Sequence, residues 1–249
     1  MRMEAILTVA ESKRLIAKGI AKHPAVQAAR TSGFVAVAKG TTNAYVVEEL
    51  LGRGIDKCQY VLGAVQPARS KVKIGGNWPD LVLKDGKVVE GATVKDTIQQ
   101  MGPGDVFIKG ANALNYAARV AGILIGHPTG GTIGSTLGCV IARRIHFIIP
   151  VGLEKNIVTD IRAAHRVLAD VEESRGHVPA LWPVEGEIFT EIEALEVLAG
   201  VQAIQIGAGG VGGAEGAVRL LLWGSDEEIE QAARLVESIQ DEPLFGEVR

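Results

Sequence analysis

Gly126-His-Pro-Thr-Gly-Gly-Thr-Ile-Gly-Ser-Thr-Leu-Gly-Cys-Val-Ile-Ala-Arg-Arg-Ile-His-Phe-Ile-Ile-Pro-Val-Gly-Leu-Glu-Lys-Asn156 carries three elements in one run. Small residues and the pair Gly130-Gly131 form a turn, Ile133 to Ile141 reads as an apolar helix, and Ile145 to Val151 reads as a buried strand ending at Gly152. A glycine-rich turn feeding a helix gathers unpaired backbone N–H groups, and the helix dipole adds positive potential, so the place suits an anion. The same turn also serves simply to pack a helix closely on a sheet.

Two further turns share this chemistry. Phe34 to Ala38 is a short apolar strand, followed by Lys39-Gly-Thr-Thr-Asn43 and a helix from Tyr45 to Leu51. Val106 to Ile108 is another, followed by Lys109-Gly-Ala-Asn112. Strand, polar glycine turn, helix is the unit of an open α/β sheet, whose ligands bind at the carboxyl ends of the strands. The three strands are expected to be parallel neighbours. Their turns would then surround one pocket, with Lys39, Gly40, Thr41, Thr42, Asn43, Gly110, Asn112, Gly130, Gly131, Thr132, Gly134 and Ser135 as its ligand-binding residues. Thr or Asn after the first strand equally fits an ordinary N-cap.

The rest of the chain frames that core. Ala5, Ile6, Val9, Leu15, Ile16 and Ile20 recur at helical spacing, and Pro24 opens a second short helix. Around residues 58–92 lies a β insertion: Tyr60 to Gln66 is strand-like, Asn77-Trp78-Pro-Asp80 follows, and Leu81 to Glu90 is a hairpin turning at Asp85-Gly86. Val94 to Met101 reads as a short helix. Thr159 to Arg175 reads as an amphipathic helix burying Ile161, Ala164, Val167, Leu168 and Val171. Val178 to Val184 is an extended linker. Residues 185–243 form a small α+β appendage: a helix from Thr190 to Ala199, strands at Val201–Ile206 and Ala217–Trp223, and a last helix opened by Ser225-Asp-Glu-Glu228. Gly207-Ala-Gly-Gly-Val-Gly212 matches the dinucleotide G-x-G-x-x-G, but a strand rather than a helix follows it, so it reads as a hairpin loop, a lid or an oligomer contact.

Composition bounds the function. The chain has 249 residues, 47% of them apolar, which suits one α/β domain (1–178) plus the smaller region (185–243). A net charge of −3 without a basic block argues against nucleic acid and anionic membranes. Cys58 and Cys139 do not suggest a disulfide framework or a zinc site, and no signal-type segment or long apolar run stands out. A cytoplasmic protein without metal or cofactor is expected, binding a small anionic metabolite and assembling as a homo-oligomer.

Lys39-Gly-Thr-Thr-Asn43, with Glu48-Glu-Leu50 in the following helix, resembles the phosphate-binding loop of the ribose-5-phosphate isomerase, glucosamine-6-phosphate deaminase and CoA-transferase superfamily. Ala111-Asn-Ala113, Thr129-Gly-Gly-Thr132, Ile148-Ile-Pro-Val-Gly-Leu-Glu-Lys-Asn-Ile-Val158 and Asp160-Ile-Arg-Ala-Ala164 are similar to motifs of its lactate-utilisation (LUD) branch. The resemblance covers about residues 10 to 170. It implies an open, mostly parallel sheet with flanking helices and sugar-phosphate isomerase or lyase chemistry. The isomerases carry Asp-Gly-Ala-Asp-Glu at the second turn, where this chain has Lys109-Gly-Ala-Asn-Ala113, and no nucleophilic Glu of the CoA-transferase kind stands in a glycine turn. The remaining ionisable candidates are Lys39, Lys109, His127, Glu154 and Lys155, with His127 and Lys109 weighed as catalytic. The alternative function is a non-catalytic binding or accessory protein that keeps the anion pocket without the acid/base carboxylates.

Overall fold

The computed structural model describes residues 1–76, 78–170 and 173–247. Its strands are β1 (Arg2–Leu7), β2 (Phe34–Val37), β3 (Leu81–Lys84), β4 (Lys87–Val88), β5 (Val106–Ile108), β6 (Ala113–Asn115), β7 (Val120–Ile125), β8 (His146–Pro150), β9 (Ala180–Val184), β10 (Glu187–Phe189), β11 (Gln202–Ala208) and β12 (Val218–Trp223). The helices are α1 (Val9–Lys22), α2 (Pro24–Ser32), α3 (Thr41–Leu51), α4 (Val94–Thr97), α5 (Gly131–Ala142), α6 (Ile161–Ala169), α7 (Glu191–Ala199) and α8 (Asp226–Glu237).

The central sheet has six strands in the order β10-β8-β5-β2-β3-β4. Val35, Ala36 and Val37 pair in parallel with Val106, Phe107 and Ile108, which pair in parallel with His146, Phe147 and Ile148. The strands expected at 34–38, 106–108 and 145–151 are thus parallel neighbours. β10 adds a fourth parallel strand beside β8. Side chains along β2 and β5 are buried on both faces, which is why these runs are continuously apolar. The hairpin β3–β4 closes the other edge antiparallel to β2. Its two-residue turn holds Asp85 at φ 48° and Gly86 at φ 76°, the left-handed pair that matches strand twist.

α1 packs between α3 and α7 over this sheet. It runs antiparallel to the strands. Its Lys13 end lies at their carboxyl edge, and His23, at its other end, reaches the residues that open β8 and β10. A second sheet, β1-β12-β11, is antiparallel, and a third, β6-β7-β9, is also antiparallel. One continuous hydrophobic core joins the central sheet, α1, α3, α7, α8 and the β1-β12-β11 sheet.

Several sequence expectations are corrected. Ala5 and Ile6 lie in β1, not in the first helix, because Thr8 caps α1 with a capping box to Glu11. Tyr60 ends a 3-10 turn (Lys57–Tyr60), and no strand follows in 61–76; its hydroxyl donates to the Val37 carbonyl (2.6 Å) and accepts from the Leu81 N–H (2.8 Å), so it pins the insertion to the sheet. Asn77 lies outside the described residues. The helix from Val94 stops at Thr97 and that from Thr159 is Ile161–Ala169, with Val167 71% exposed rather than buried. Val171 lies outside the described residues. The linker 178–184 contains β9, paired to β7.

The stretch Gly207 to Gly212 begins in the last two residues of β11 and runs into the loop before the antiparallel strand β12, where Gly209 and Gly212 are left-handed. No helix follows the glycines, so the strand–turn–helix of a dinucleotide site is not built. Among the described residues, no helix is long and apolar enough to cross a membrane.

Candidate functional site at the carboxyl edge of the parallel sheet

Four strand ends lie side by side at this edge, in the order β10, β8, β5, β2. A chain of contacts joins their turns. After β2, Asn43 is wholly buried; its Nδ2 donates to the carbonyls of Ala38 (2.6 Å) and Ile108 (3.4 Å), so it ties the ends of β2 and β5 together. Among the described residues, its Oδ1 has no hydrogen-bond partner. After β5, a Cβ built on Gly110 would stand 3.3 Å from the Pro150 carbonyl and 3.8 Å from Asn43 Oδ1, so glycine suits the close approach of the β5 and β8 ends there. After β8, the Leu153 N–H donates to both carboxylate oxygens of Glu191 (2.9 and 3.2 Å), which stands after β10.

Ionisable groups are buried at this edge. Glu191 is fully buried, and burial, with Glu154 adding like charge, raises its carboxyl to about 7 despite the Leu153 N–H and the Ser12 hydroxyl. Lys13 of α1 is 8% exposed. Burial and neighbouring Lys155 lower its amine to about 8, while Glu154 and Glu191 oppose the change. Glu154 pairs with Lys155 through Oε1 (3.0 Å), and its Oε2 is buried without a partner. Lys109 keeps part of its surface accessible, yet burial lowers its amine to about 8, and its Nζ meets the Gly110 carbonyl at 3.3 Å. A buried acid near neutrality beside a buried amine is the setting in which side chains exchange protons with a ligand.

The helix starts are informative too. Thr8, His23, Thr93, Asp160, Thr190 and Ser225 each cap a helix through the side chain. α3 and α5 begin on Gly40 and Gly130 with no side-chain cap. The ordinary N-cap role considered for Thr41, Thr42 and Asn43 is therefore not the one they play. First-turn N–H groups without a side-chain partner remain open to an anion.

The structure places the sequence-selected residues unevenly. Lys39, Gly40, Thr41, Thr42 and Asn43 lie where β2 passes into α3, and Lys109 and Gly110 lie at the end of the adjacent β5. Asn112 instead serves the β6–β7 hairpin: its N–H donates to Gly122 (2.8 Å) and its Oδ1 accepts from the Leu124 N–H (3.0 Å). Gly130 and Gly131 are left-handed (φ 82° and 57°), so the turn requires glycine for its conformation. A Cβ on Gly130 would lie 3.2 Å from the Trp182 ring, which fixes this turn against β9. The Thr132 carbonyl accepts from the hydroxyls of Ser135 (2.9 Å) and Thr136 (2.8 Å), and Gly134 is exposed. His127 is exposed, and its Nδ1 closes the local turn on Thr129 (N–H at 3.2 Å, Oγ1 at 2.9 Å).

Lys13, Ser12 and Glu191 were not singled out by the sequence. The available signal was the place of Lys13 on the apolar stripe of α1, four residues after Val9 and three before Ile16. A cleft of about 950 Å3 lies beside α1 and α3. Its charges satisfy one another: Arg14 bridges Glu48 (2.6 Å), Glu242 (2.9 Å) and Glu49 (3.0 Å), and Lys57 adds to Glu48 (3.4 Å). Among the described residues, buried polar atoms without a partner lie in both places: the Tyr45 hydroxyl, whose ring packs on Arg14 and Lys57, and Asn43 Oδ1 and Glu154 Oε2 at the sheet edge.

Among protein-family models, curated proteins and solved structures, none matches this chain.

Proposed function

We propose that the chain binds a small phosphorylated or carboxylated metabolite at the carboxyl edge of its parallel sheet and moves protons on it, in the manner of sugar-phosphate isomerases and lyases. The observation that carries this reading is the cluster of buried Lys13 and Glu191 with half-buried Glu154, one of whose oxygens is buried and unpartnered among the described residues. The second turn, Lys109 to Asn112, lacks the carboxylates of the isomerase signature; the turns after β8 and β10 carry carboxylates at the same edge. In this reading the uncapped starts of α3 and α5 and the amine of Lys13 meet the anionic group. Glu191, raised to about 7, gives and takes a proton near neutral pH. The likeness to the lactate-utilisation branch of the isomerase and CoA-transferase superfamily is part of the same proposal, as are a cytoplasmic location and a homo-oligomeric state.

The test is binding and proton exchange measured together. Inorganic phosphate, pyruvate and ribose 5-phosphate are titrated by calorimetry against the parent protein and Lys13→Met. In parallel, deuterium uptake beside the carbonyl of each organic probe is followed by NMR in heavy water. The expected result is binding weakened at least about tenfold by Lys13→Met, the loss of one charge-assisted contact, and deuterium uptake that Glu191→Gln abolishes. Binding without uptake by any protein favours the non-catalytic alternative. No binding by the parent removes the site.

A further inference from the structure

The cleft beside α1 and α3 is partly filled by the chain's own C-terminal segment, which crosses it after α8 without forming a helix or strand. There Glu242 holds Arg14 by two parallel bonds: Arg14 Nε donates to Oε2 (3.1 Å) and Nη2 to Oε1 (2.9 Å). This is the geometry in which a guanidinium takes any carboxylate. Three residues on, the Phe245 ring lies 6.3 Å from the ring of Tyr45. Arg14 and Lys57 also pack on the Tyr45 ring, at 4.8 and 4.7 Å. Tyr45 is wholly buried, and among the described residues its hydroxyl has no hydrogen-bond partner. Burial, and then the charge of Glu242, push that hydroxyl up, so the Glu242 carboxylate stands within electrostatic reach of it. A dry, unpaired hydroxyl is costly to leave without an acceptor.

The segment is lightly held. From Pro243 to Glu247, among the described residues, no main-chain hydrogen bond reaches another element, and the Glu247 N–H turns back on the Leu244 carbonyl (2.9 Å). Chain fixed by side chains alone opens more readily than chain in a ladder. Beside it the cleft of about 950 Å3 has room for a metabolite-sized ligand. With Glu242 and Glu247 away, four cations of the lining (Arg14, Lys18, Arg53 and Lys57) face three carboxylates (Glu48, Glu49 and Asp56).

We propose that this cleft is a second ligand site, separate from the sheet edge, for a small aromatic carboxylic acid, and that residues 241–247 form a strap that covers it by imitation. The Glu242 carboxylate stands where the ligand's carboxylate meets Arg14, and the Phe245 ring stands where the ligand's ring meets Tyr45. The ligand enters from the open side of the cleft and takes the Arg14 fork, the strap lifts, and the Tyr45 hydroxyl gains an acceptor in the ligand. Glu48 and Glu49 stay on Arg14 (2.6 and 3.0 Å), so the guanidinium remains aimed when the strap is away.

The probe is 3-phenylpropanoate, with acetate as the bare carboxylate. Calorimetry compares the parent with Glu242→Gln, which removes the competing charge and keeps the shape of the side chain. The expected result is 3-phenylpropanoate binding at least about tenfold tighter to the variant than to the parent. Adding Arg14→Lys, which keeps the charge but not the fork, should reverse that gain. Acetate should bind at least about tenfold more weakly than 3-phenylpropanoate. On the parent chain, hydrogen exchange read by mass spectrometry should show faster deuterium uptake in peptides spanning 241–247 when the probe is bound, a readout that depends on no variant. Equal affinity for parent and Glu242→Gln, or probe bound to the parent with exchange in 241–247 unchanged, overturns the strap. Gain retained with Arg14→Lys overturns the placement on Arg14. Acetate binding as tightly as 3-phenylpropanoate overturns the aromatic class, and no binding to parent or Glu242→Gln overturns the site.

Discussion

Glu191→Gln should change how stability depends on pH, by an amount that follows from the burial of this one carboxyl. Glu191 is wholly buried and titrates at about 7 in the folded chain, against an ordinary value of 4.5. The fold therefore favours the protonated acid. Stability from this group is fully present below pH 4.5 and is lost as pH rises through 7. Integrating the two titrations between pH 5 and pH 8 gives a loss of about 2–3 kcal/mol in the parent that the glutamine variant does not suffer. Gln keeps an oxygen for the Leu153 N–H, so the hydrogen bond seen at 2.9 Å has an acceptor in both proteins. The response of Lys13, whose amine is lowered to about 8, adds to this difference. Deprived of the opposing Glu191 charge, its amine neutralises more readily toward pH 8 and relieves a buried cation. The assay is urea unfolding of both proteins at pH 5 and pH 8, comparing the difference between them at each pH. The variant should gain about 2–3 kcal/mol on the parent between the two pH values. Parallel pH dependences would refute the buried, protonated Glu191 and with it the proton-transfer role.

Two further perturbations probe the frame of the site. Gly19→Ala gains about 1 kcal/mol of helix propensity, but its Cβ would lie 2.8 Å from Ala194 Cβ, 2.9 Å from Ala194 Cα and 2.9 Å from the Phe189 ring. Overpacking of this kind costs roughly 1–3 kcal/mol, and the α7 backbone cannot step aside by a rotamer change, so thermal unfolding should show a net loss; an unchanged or higher melting temperature refutes the α1–α7 contact. Glu187 is held down to about 2, first by the hydrogen bond from His23 (2.8 Å) and then by that from His146. Stability from that carboxylate is present above pH 4.5 and lost as pH falls through 2, so Glu187→Gln should flatten the acid limb of a circular-dichroism titration, and an identical acid limb contradicts the pairing.

The parallel strands were legible because their physics leaves a plain mark. β2, β5 and β8 are covered on both faces, so they appear as uninterrupted apolar runs, each ending in glycine or Lys-Gly. β10 leaves no such mark: three residues, the first a charged Glu187, follow Gly186 and borrow their order from β8. β9 contains Pro183, which suggests a linker, but the strand lies at a sheet edge where a missing N–H is tolerated. β1 was absorbed into a helical period because Ala5 and Ile6 fall in phase with Val9. The strict alternation of exposed Glu4 and Ile6 with buried Ala5 and Leu7, and the capping box from Thr8 to Glu11, were the competing signals.

The site divides along a different line. Residues whose role is backbone geometry could be found from glycine and from strand–turn–helix order: Gly40 and Gly110 stand at the helix start and strand end expected of them, whereas Gly130 opens α5 after β7 of the antiparallel third sheet rather than after a parallel strand. Side chains whose role is charge could not, because a buried acid and a solvated one are the same letter. Glu191 looks like a routine first-turn acid, good for any helix dipole, next to a capping box formed by Thr190 and Glu193. The packing of α1 against α7 and the turn after β8, whose Leu153 N–H it accepts, remove it from water, and α1 precedes it by some 170 positions in the chain. The same packing buries Lys13. Burial there, with the charges of Glu154 and Lys155 in the turn after β8, changes two ordinary residues into an acid near 7 and an amine near 8. Loosening that contact should return both toward their solvated values together, so the two groups should fail or survive as a pair in any variant of the α1–α7 interface.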